Sequence, residues 1–201
     1  MLKLYYMEMT AREMLDKFSN GSSHPDEVRK LAMMIFDGVN DTLKELSNKQ
    51  RKFLENAALL HDIGYYIDSK SHNKHSQKMV LEYGLEDFSQ REKEIISCIC
   101  RYHRGSLPDK KEHEIYNKFD KKERKTVKRL GGILRIADGL DRAHVNLIKK
   151  LRIYYDCEHN ITEIYLTPAN RDYRPDITYA IRKKDLFETG FKTQVVFKFE
   201  S

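Results

Sequence analysis

LLHDIGYYID, residues 59–68, is the stretch on which the predicted fold depends most. Its apolar residues are typical of a helix that packs into a core, but His61 and Asp62 interrupt them and Gly64 follows. His61 comes three and four residues after a pair of alanines, a spacing that places it on the inward face of the helix. A buried carboxylate without a partner costs roughly several kcal/mol, so Asp62 must pair with another side chain, a cation or a metal ion.

The composition indicates a globular domain. The chain has 201 residues, of which 40% are hydrophobic and 34% charged, and its net charge of +6 favours anionic partners. No apolar run approaches the roughly 20 residues of a membrane span, and the N-terminus lacks a signal-peptide core. We therefore expect a cytoplasmic protein with no membrane partner. Its three cysteines have no metal-type spacing and are predicted to be reduced, buried thiols.

Helical patterns dominate the first 150 residues. Three helices begin with capping-box pairs, which are Thr10 with Glu13, Ser47 with Gln50 and Ser89 with Glu92. The second of these helices is predicted to run to Gly64 and the third to Gly105. Apolar spacing predicts further helices from about residue 23, over KHSQKMVLEY and over VKRLGGILRIADGLDRAHVNLIKK.

The pattern changes after about residue 150. LRIYYDC and ITEIYLT alternate around a turn and predict a β-hairpin, PDITYAIRKKDLFE predicts a helix with Pro175 near its start, and TQVVFKFE predicts a strand. The predicted fold class is therefore mainly α: a helical bundle over residues 1–150 with a small α+β segment, residues 151–201, packed on it.

Several histidines and aspartates continue the inward stripes of different helices. These residues are His24, His61, His75, His103, Asp138 and Asp141. A lone inward histidine is usually structural, but several on different helices, with inward carboxylates, indicate a metal site. An ion that lies between His61 and Asp62 can be reached by both, because their directions differ by about 100° around the helix.

The proposed ligands are imidazoles and carboxylates, without thiolate spacing. They favour one or two divalent ions, with Mn²⁺, Mg²⁺, Fe²⁺ or Co²⁺ preferred over a structural Zn²⁺. Asp62 is the candidate to bridge two ions. His24, His61 and Asp138 would complete one site, and His75 and His103 would bind a second ion or the leaving phosphate. Two ions so placed could support displacement at phosphorus.

Basic residues adjoin these ligands. Lys74 precedes His75, Arg104 follows His103, and Arg142 lies near Asp138, so all three are predicted to bind phosphate, since guanidinium and ammonium groups match its oxygens. An ion pair with Asp138 is an equally good interpretation of Arg142.

Other side chains near these motifs are open to more than one role. Arg101 and Arg135 can be solvated, and His72 is predicted to be a loop residue. His144 could be a ligand, an acid–base group or a surface residue.

The order of an early His, an adjacent His-Asp pair and a late Asp resembles the HD superfamily of metal-dependent phosphohydrolases. His24, His61-Asp62 and Asp138 carry this resemblance, which implies a helical fold and metal-dependent phosphohydrolysis. HPDEVRKLAMMIFDG, LENAALLHDIGYYID, HNKHS, FSQREKEIISCICRYHRG, LRIADGLDRAHV and KKDLFETGF are similar to successive blocks of a particular HD domain. That domain stands at the C-terminus of exopolyphosphatases and guanosine-pentaphosphate phosphohydrolases.

One departure limits what the resemblance implies. In those larger enzymes the phosphatase chemistry belongs to actin-like domains with glycine-rich phosphate loops, and this sequence has no such loop. If the chain is an enzyme, the HD site must act, with Asp62, Lys74 and Arg104 as the catalytic candidates.

Its substrate would then be polyphosphate, a guanosine polyphosphate or a nucleotide. The alternative is a non-catalytic, metal-stabilised binding or regulatory module that acts with a separate actin-like phosphatase. A homodimer is a further possible assembly, and nucleic acid has little support as a partner because basic and acidic residues are interspersed.

Overall fold

The protein is described by a computed structural model over residues 8–170 and 172–200. Residues 1–7, which carry part of the N-terminal prediction, lie outside this range. The helices are α1 Ala11–Phe18, α2 His24–Thr42, α3 Asn48–Leu60, α4 His72–Tyr83, α5 Gln90–Arg101, α6 Glu114–Asn117, α7 Lys121–Leu140, α8 Thr178–Arg182 and α9 Asp185–Phe191. The strands are β1 Ile148–Asp156, β2 Ile161–Pro168 and β3 Gln194–Phe199. The predicted class, mainly α with a small C-terminal α+β segment, is confirmed.

The starts of α1, α3 and α5 follow the sequence signals closely, whereas α4 begins two residues and α7 six residues before the predicted stretches. All three predicted capping boxes form, at the N-termini of α1, α3 and α5. In each, the capping side chain accepts from a backbone amide of the first turn and the third helical residue bonds back to the cap. The predicted hairpin also forms, with β1 and β2 antiparallel and β3 added parallel to β2.

Helix ends differ from the predictions in four places. α5 ends at Arg101, four residues before the predicted end at Gly105. α3 ends at Leu60, and a 3₁₀ turn, Ile63–Tyr66, contains Gly64. α7 ends at Leu140, and β1 begins only at residue 148. The helix predicted after Pro175 is two short helices, α8 and α9, separated by a pair of lysines.

The early end of α7 has a local cause. The carboxylate of Asp141, the residue after the helix, accepts from the backbone N–H of Asn146 at 3.1 Å, and its carbonyl accepts from His144 at 2.9 Å. His144 and Asn146 both have positive φ, which helices do not allow. A tight loop therefore replaces the last two predicted turns.

The central helix α7 carries the C-terminal segment. Its inward residues are buried, and α8 and α9 pack against it. Gly132 allows a close approach to α9, and Gly139 allows one to α8, because a Cβ at Gly139 would lie 2.7 Å from the backbone of Ala180. These contacts bring the lysine pair between α8 and α9 to the end of the helical bundle. The division of the chain at residue 150 stays a prediction.

Two further observations concern earlier predictions. All three cysteines are free, but Cys157 is exposed in the turn between β1 and β2, whereas Cys98 and Cys100 are buried as predicted. Among the described helices, none has both the length and the apolar content that crossing a bilayer requires.

Candidate metal centre

Five of the six predicted metal ligands meet at one end of the bundle. His24 opens α2, His61 and Asp62 directly follow α3, His103 lies two residues after α5, and Asp138 is in the last turn of α7. All are buried apart from Asp62, which is half-buried. Polar side chains at the ends of four separate helices therefore lie close together inside an otherwise apolar core.

The sixth predicted ligand, His75, does not join them. Within the part of the chain that the structure describes, the groups able to hold an ion include His72 instead. His72, predicted to be a loop residue, is the buried first residue of α4, while His75 lies one turn further along and is half-buried. Gly64 explains the choice: a Cβ there would lie 2.0 Å from the carbonyl oxygen of His72, so only glycine lets the start of α4 reach the His-Asp turn.

The first donor group consists of His24, His61 and Asp62, whose ligand atoms lie within 4.8 Å of one another. Oδ2 of Asp62 is 3.7 Å from Nε2 of His24 and 3.5 Å from Nε2 of His61. Asp138 lies beside this group, with Oδ1 at 3.4 Å from His24 Nε2 and 3.9 Å from His61 Nε2. Two imidazoles and two carboxylates therefore face a common point.

The second donor group consists of Asp62, His72 and His103, again within 4.8 Å of one another. It uses the other carboxylate oxygen: Oδ1 of Asp62 is 3.2 Å from His72 Nε2 and 3.4 Å from His103 Nε2. The two imidazole Nε2 atoms are themselves 3.2 Å apart. Asp62 thus stands between the two groups with one oxygen directed to each.

The Nδ1 atom of each imidazole has a hydrogen-bond partner. Nδ1 of His61, His72 and His103 lies 2.7–2.8 Å from the carbonyl oxygens of residues 58, 69 and 100 respectively. Because a carbonyl only accepts, each Nδ1 carries a proton, so Nε2 is the atom of the ring that can offer a lone pair to a metal ion. In His24, Nδ1 lies 2.7 Å from Oδ2 of Asp141, the carboxylate–histidine arrangement typical of metal ligands.

These lone pairs lack protein partners. Nε2 of His24, Nε2 of His61 and Oδ1 of Asp62 are buried and have no hydrogen-bond partner among the described residues. If both carry lone pairs, the Nε2 atoms of His72 and His103, 3.2 Å apart, would also repel unless a proton or a metal ion lay between them. Unpartnered polar atoms that converge around two carboxylates fit a divalent cation, since neutral imidazole and carboxylate are its usual ligands.

The electrostatics show how strongly negative the first group is. Although burial opposes its charge, the carboxylates of Asp138 and Asp141 raise the pKa of His24 to about 9. Burial by itself would raise the pKa of Asp62, but the imidazoles of His61 and His72 hold that pKa well below its usual value. In contrast, burial lowers the pKa of His103 to about 3, so this ring is neutral at ordinary pH.

A pocket with a cavity volume of about 100 Å³ opens above the donor groups. We call it the cationic lobe, because Arg104, Arg142 and Lys183 line it together with four of the proposed ligands, Asp62, His72, His103 and Asp138. Lys183, from the loop between α8 and α9, forms an ion pair with Asp138. Arg142 places its guanidinium 5.0 Å from the ring centre of Tyr179, and among the described contacts Asp138 pairs with Lys183 and not with Arg142.

Other basic residues have different places from those predicted. Lys74 is exposed on α4 and is not among the described residues that line this pocket. Arg135 is buried, not solvated: it pairs with Asp185 at 3.1 Å and donates to the carbonyls of Tyr102 and Gly105 at 3.2 Å. Arg101 donates to the side chain of Gln77 at 3.1 Å.

Sequence reasoning missed Lys183 and Tyr179 as parts of the site. Both come from the C-terminal segment, more than 35 residues after the last predicted ligand, and their sequence context carries no signal for this role. His144, left open by the sequence, lines the pocket and stacks on His24 with 3.8 Å between ring centres.

The fold and this His/Asp cluster together define a mainly α-helical domain with a candidate metal centre. The chain belongs to the family Ppx/GppA phosphatase, domain III, whose model matches residues 7–184. The match includes both donor groups, the cationic lobe, α8 and the lysine pair. A search of curated proteins found no match.

Proposed function

We propose that this chain is a metal-dependent phosphohydrolase of the HD type, which cleaves a phosphoester or phosphoanhydride. One observation carries the proposal: two donor groups share Asp62 at the floor of a pocket whose rim is cationic. Membership of an exopolyphosphatase-related family agrees with a phosphorylated substrate such as polyphosphate, a guanosine polyphosphate or a nucleotide.

Asp62, His24, His61 and Asp138 would hold one divalent ion, and Asp62, His72 and His103 a second. When bound, such ions would activate a nucleophilic water and neutralise charge that develops on the phosphoryl group. We favour Mn²⁺, Mg²⁺, Fe²⁺ or Co²⁺, because oxygen and imidazole donors form both groups. His72 takes the place that the sequence had assigned to His75.

The cationic lobe would orient the phosphate. Arg104 and Arg142 offer planar guanidinium groups that bind phosphate oxygens in pairs. Lys183 offsets the charge of Asp138 and adds a third positive group next to the donor groups. These residues replace Lys74 in the role of binding the phosphoryl group, since Lys74 lies outside the described lining of the pocket.

A second candidate function is a metal-stabilised binding module that acts with a separate actin-like phosphatase. The observation in its favour is that the family model is that of a third domain. Such a module would bind phosphate compounds through the same lobe without cleaving them.

Phosphate release separates the two functions. Wild type, Asp62→Ala and the control Asp41→Ala, an exposed position at the end of α2, would be offered polyphosphate, guanosine polyphosphates and nucleotides with Mn²⁺ or Mg²⁺. We expect release by wild type and the control, abolished by chelator, and a loss on the order of 1,000-fold in Asp62→Ala, since both donor groups lose a ligand.

The bound metal would be measured by elemental analysis in the same preparations. Undiminished turnover by Asp62→Ala would contradict the proposed function. Metal-loaded wild type that binds these compounds and releases no phosphate would favour the binding module.

A further inference from the structure

A second pocket, with a cavity volume of about 270 Å³, adjoins the cationic lobe. Asp62, Tyr65 and His144 line both pockets, so the two meet at the residue that the donor groups share. The remaining wall of the second pocket comes from the end of α1, the start of α2 and the 3₁₀ turn after the His-Asp pair. We call this second pocket the apolar lobe.

The apolar lobe has the chemistry of a site for a ring. Leu15, Phe18, Pro25, Ile63 and Tyr66 supply its apolar surface. Three small polar side chains, Ser19, Asn20 and Ser22, also line it. An apolar wall with a few polar groups is typical of pockets that bind small organic ligands.

Its aromatic residues are held in place yet accessible. The rings of Phe18 and Tyr66 meet edge to face, with centres 5.2 Å apart, and the side of Tyr66 away from this contact faces solvent, since this residue is 66% exposed. Tyr65 stacks on His72 with 3.9 Å between ring centres, which ties the rim of the lobe to the second donor group. A planar ligand could stack against these rings without rearrangement of the core.

The two lobes differ in charge. The cationic lobe has two arginines and a lysine, whereas no described residue that lines the apolar lobe is a lysine or an arginine. A polyphosphate chain is charged at every phosphorus and has no apolar surface. In the apolar lobe a polyphosphate chain would lose its hydrating water without gaining an ion pair with a lysine or an arginine. The burial of an organic ring there would instead be favourable.

We propose that the apolar lobe binds the ring of an organic phosphoester while the cationic lobe binds its phosphate, so that the substrate spans Asp62. This inference rests on the proposed function and narrows its substrate to compounds of the nucleoside phosphate kind. Inorganic polyphosphate would fill only one of the two lobes.

The test compares ligands with and without a ring. Calorimetric titration of Mn²⁺-loaded wild type would use a nucleoside, the corresponding nucleoside monophosphate and pyrophosphate. We expect Tyr66→Ala to lower the ratio of nucleotide to pyrophosphate affinity about tenfold, as loss of one stacking ring does at other base-binding sites. Tyr66→Phe should restore the ratio.

Tyr154→Ala is the matched control, because this tyrosine on β1 is 58% exposed and lies outside both lobes. It should leave the affinity ratio unchanged. Thermal melts would verify that all variants fold.

The readout is binding, so this inference and the proposed function can fail separately. Wild type that binds pyrophosphate and nucleotide equally, and nucleoside not at all, would overturn the apolar site even if phosphate is released. Nucleoside binding that weakens in Tyr66→Ala would support the apolar site even without any release of phosphate. A ratio that falls equally in Tyr154→Ala would overturn the assignment to this lobe.

Discussion

The two donor groups share Asp62 but differ in their surroundings. The first has Asp138 beside it, and Asp141 supports His24 from behind. The second has Asp62 as its single carboxylate, and Nη1 of Arg104 lies 3.3 Å from Nδ1 of His72. The first group is therefore rich in negative charge, whereas the second has two imidazoles and a single carboxylate. We expect two ions of unequal affinity, the tighter one in the first group.

The largest effect should come from removing a ligand of the tighter site. His61→Gln keeps most of the buried volume but loses the imidazole Nε2 that faces Asp62 and Asp138. We expect the affinity for the first Mn²⁺ to fall by more than about 100-fold. This loss exceeds the one expected when a residue that only orients a ligand is replaced. Paramagnetic resonance of free Mn²⁺ during titration would measure it. The exposed His159→Gln is the control, and equal affinities in both variants would contradict the assignment.

A smaller effect should appear at the weaker ion. His72→Ala removes a ligand of the second group only, so the number of bound ions should fall from two to one, with affinity at the second group reduced about 100-fold. His75→Ala, on the same helix and three residues away, should leave both ions bound. Elemental analysis after dialysis would count them. Loss of an ion in His75→Ala alone would reverse the roles assigned to these two histidines.

The smallest effect should come from the support behind His24. Asp141→Asn weakens the contact that orients this ring while all proposed ligands stay in place. We expect affinity at the first group to fall about tenfold and that at the second group to be unchanged, as for other outer-shell partners. The same Mn²⁺ titration would measure both values. If Mn²⁺ affinity fell equally at the two donor groups, they would not be independent sites. The expected difference between their affinities would then be wrong.

Local signals explain why much of the fold was predicted. A capping box involves residues three apart, and the inward stripe of a helix repeats every three or four residues, so both are visible in a short stretch of sequence. The starts of α1, α3 and α5 and the inward positions of His24, His61, His103 and Asp138 were therefore predictable. The end of α7 was not, because it depends on how the Asp141 carboxylate bonds to a loop that follows.

Some features of the candidate site were likewise predictable from the sequence, and others were not. The amino-acid sequence by itself determined that several imidazoles and carboxylates lie on inward faces of helices, since helical spacing decides which face a side chain occupies. Only the tertiary structure decided that His72 and not His75 stands beside Asp62, and that Lys183 reaches Asp138. The physical reason is that spacing identifies a face but not its partner. Which side chains meet depends on how closely separate elements approach each other. Gly64 allows the close approach of α4, and Gly139 allows that of α8.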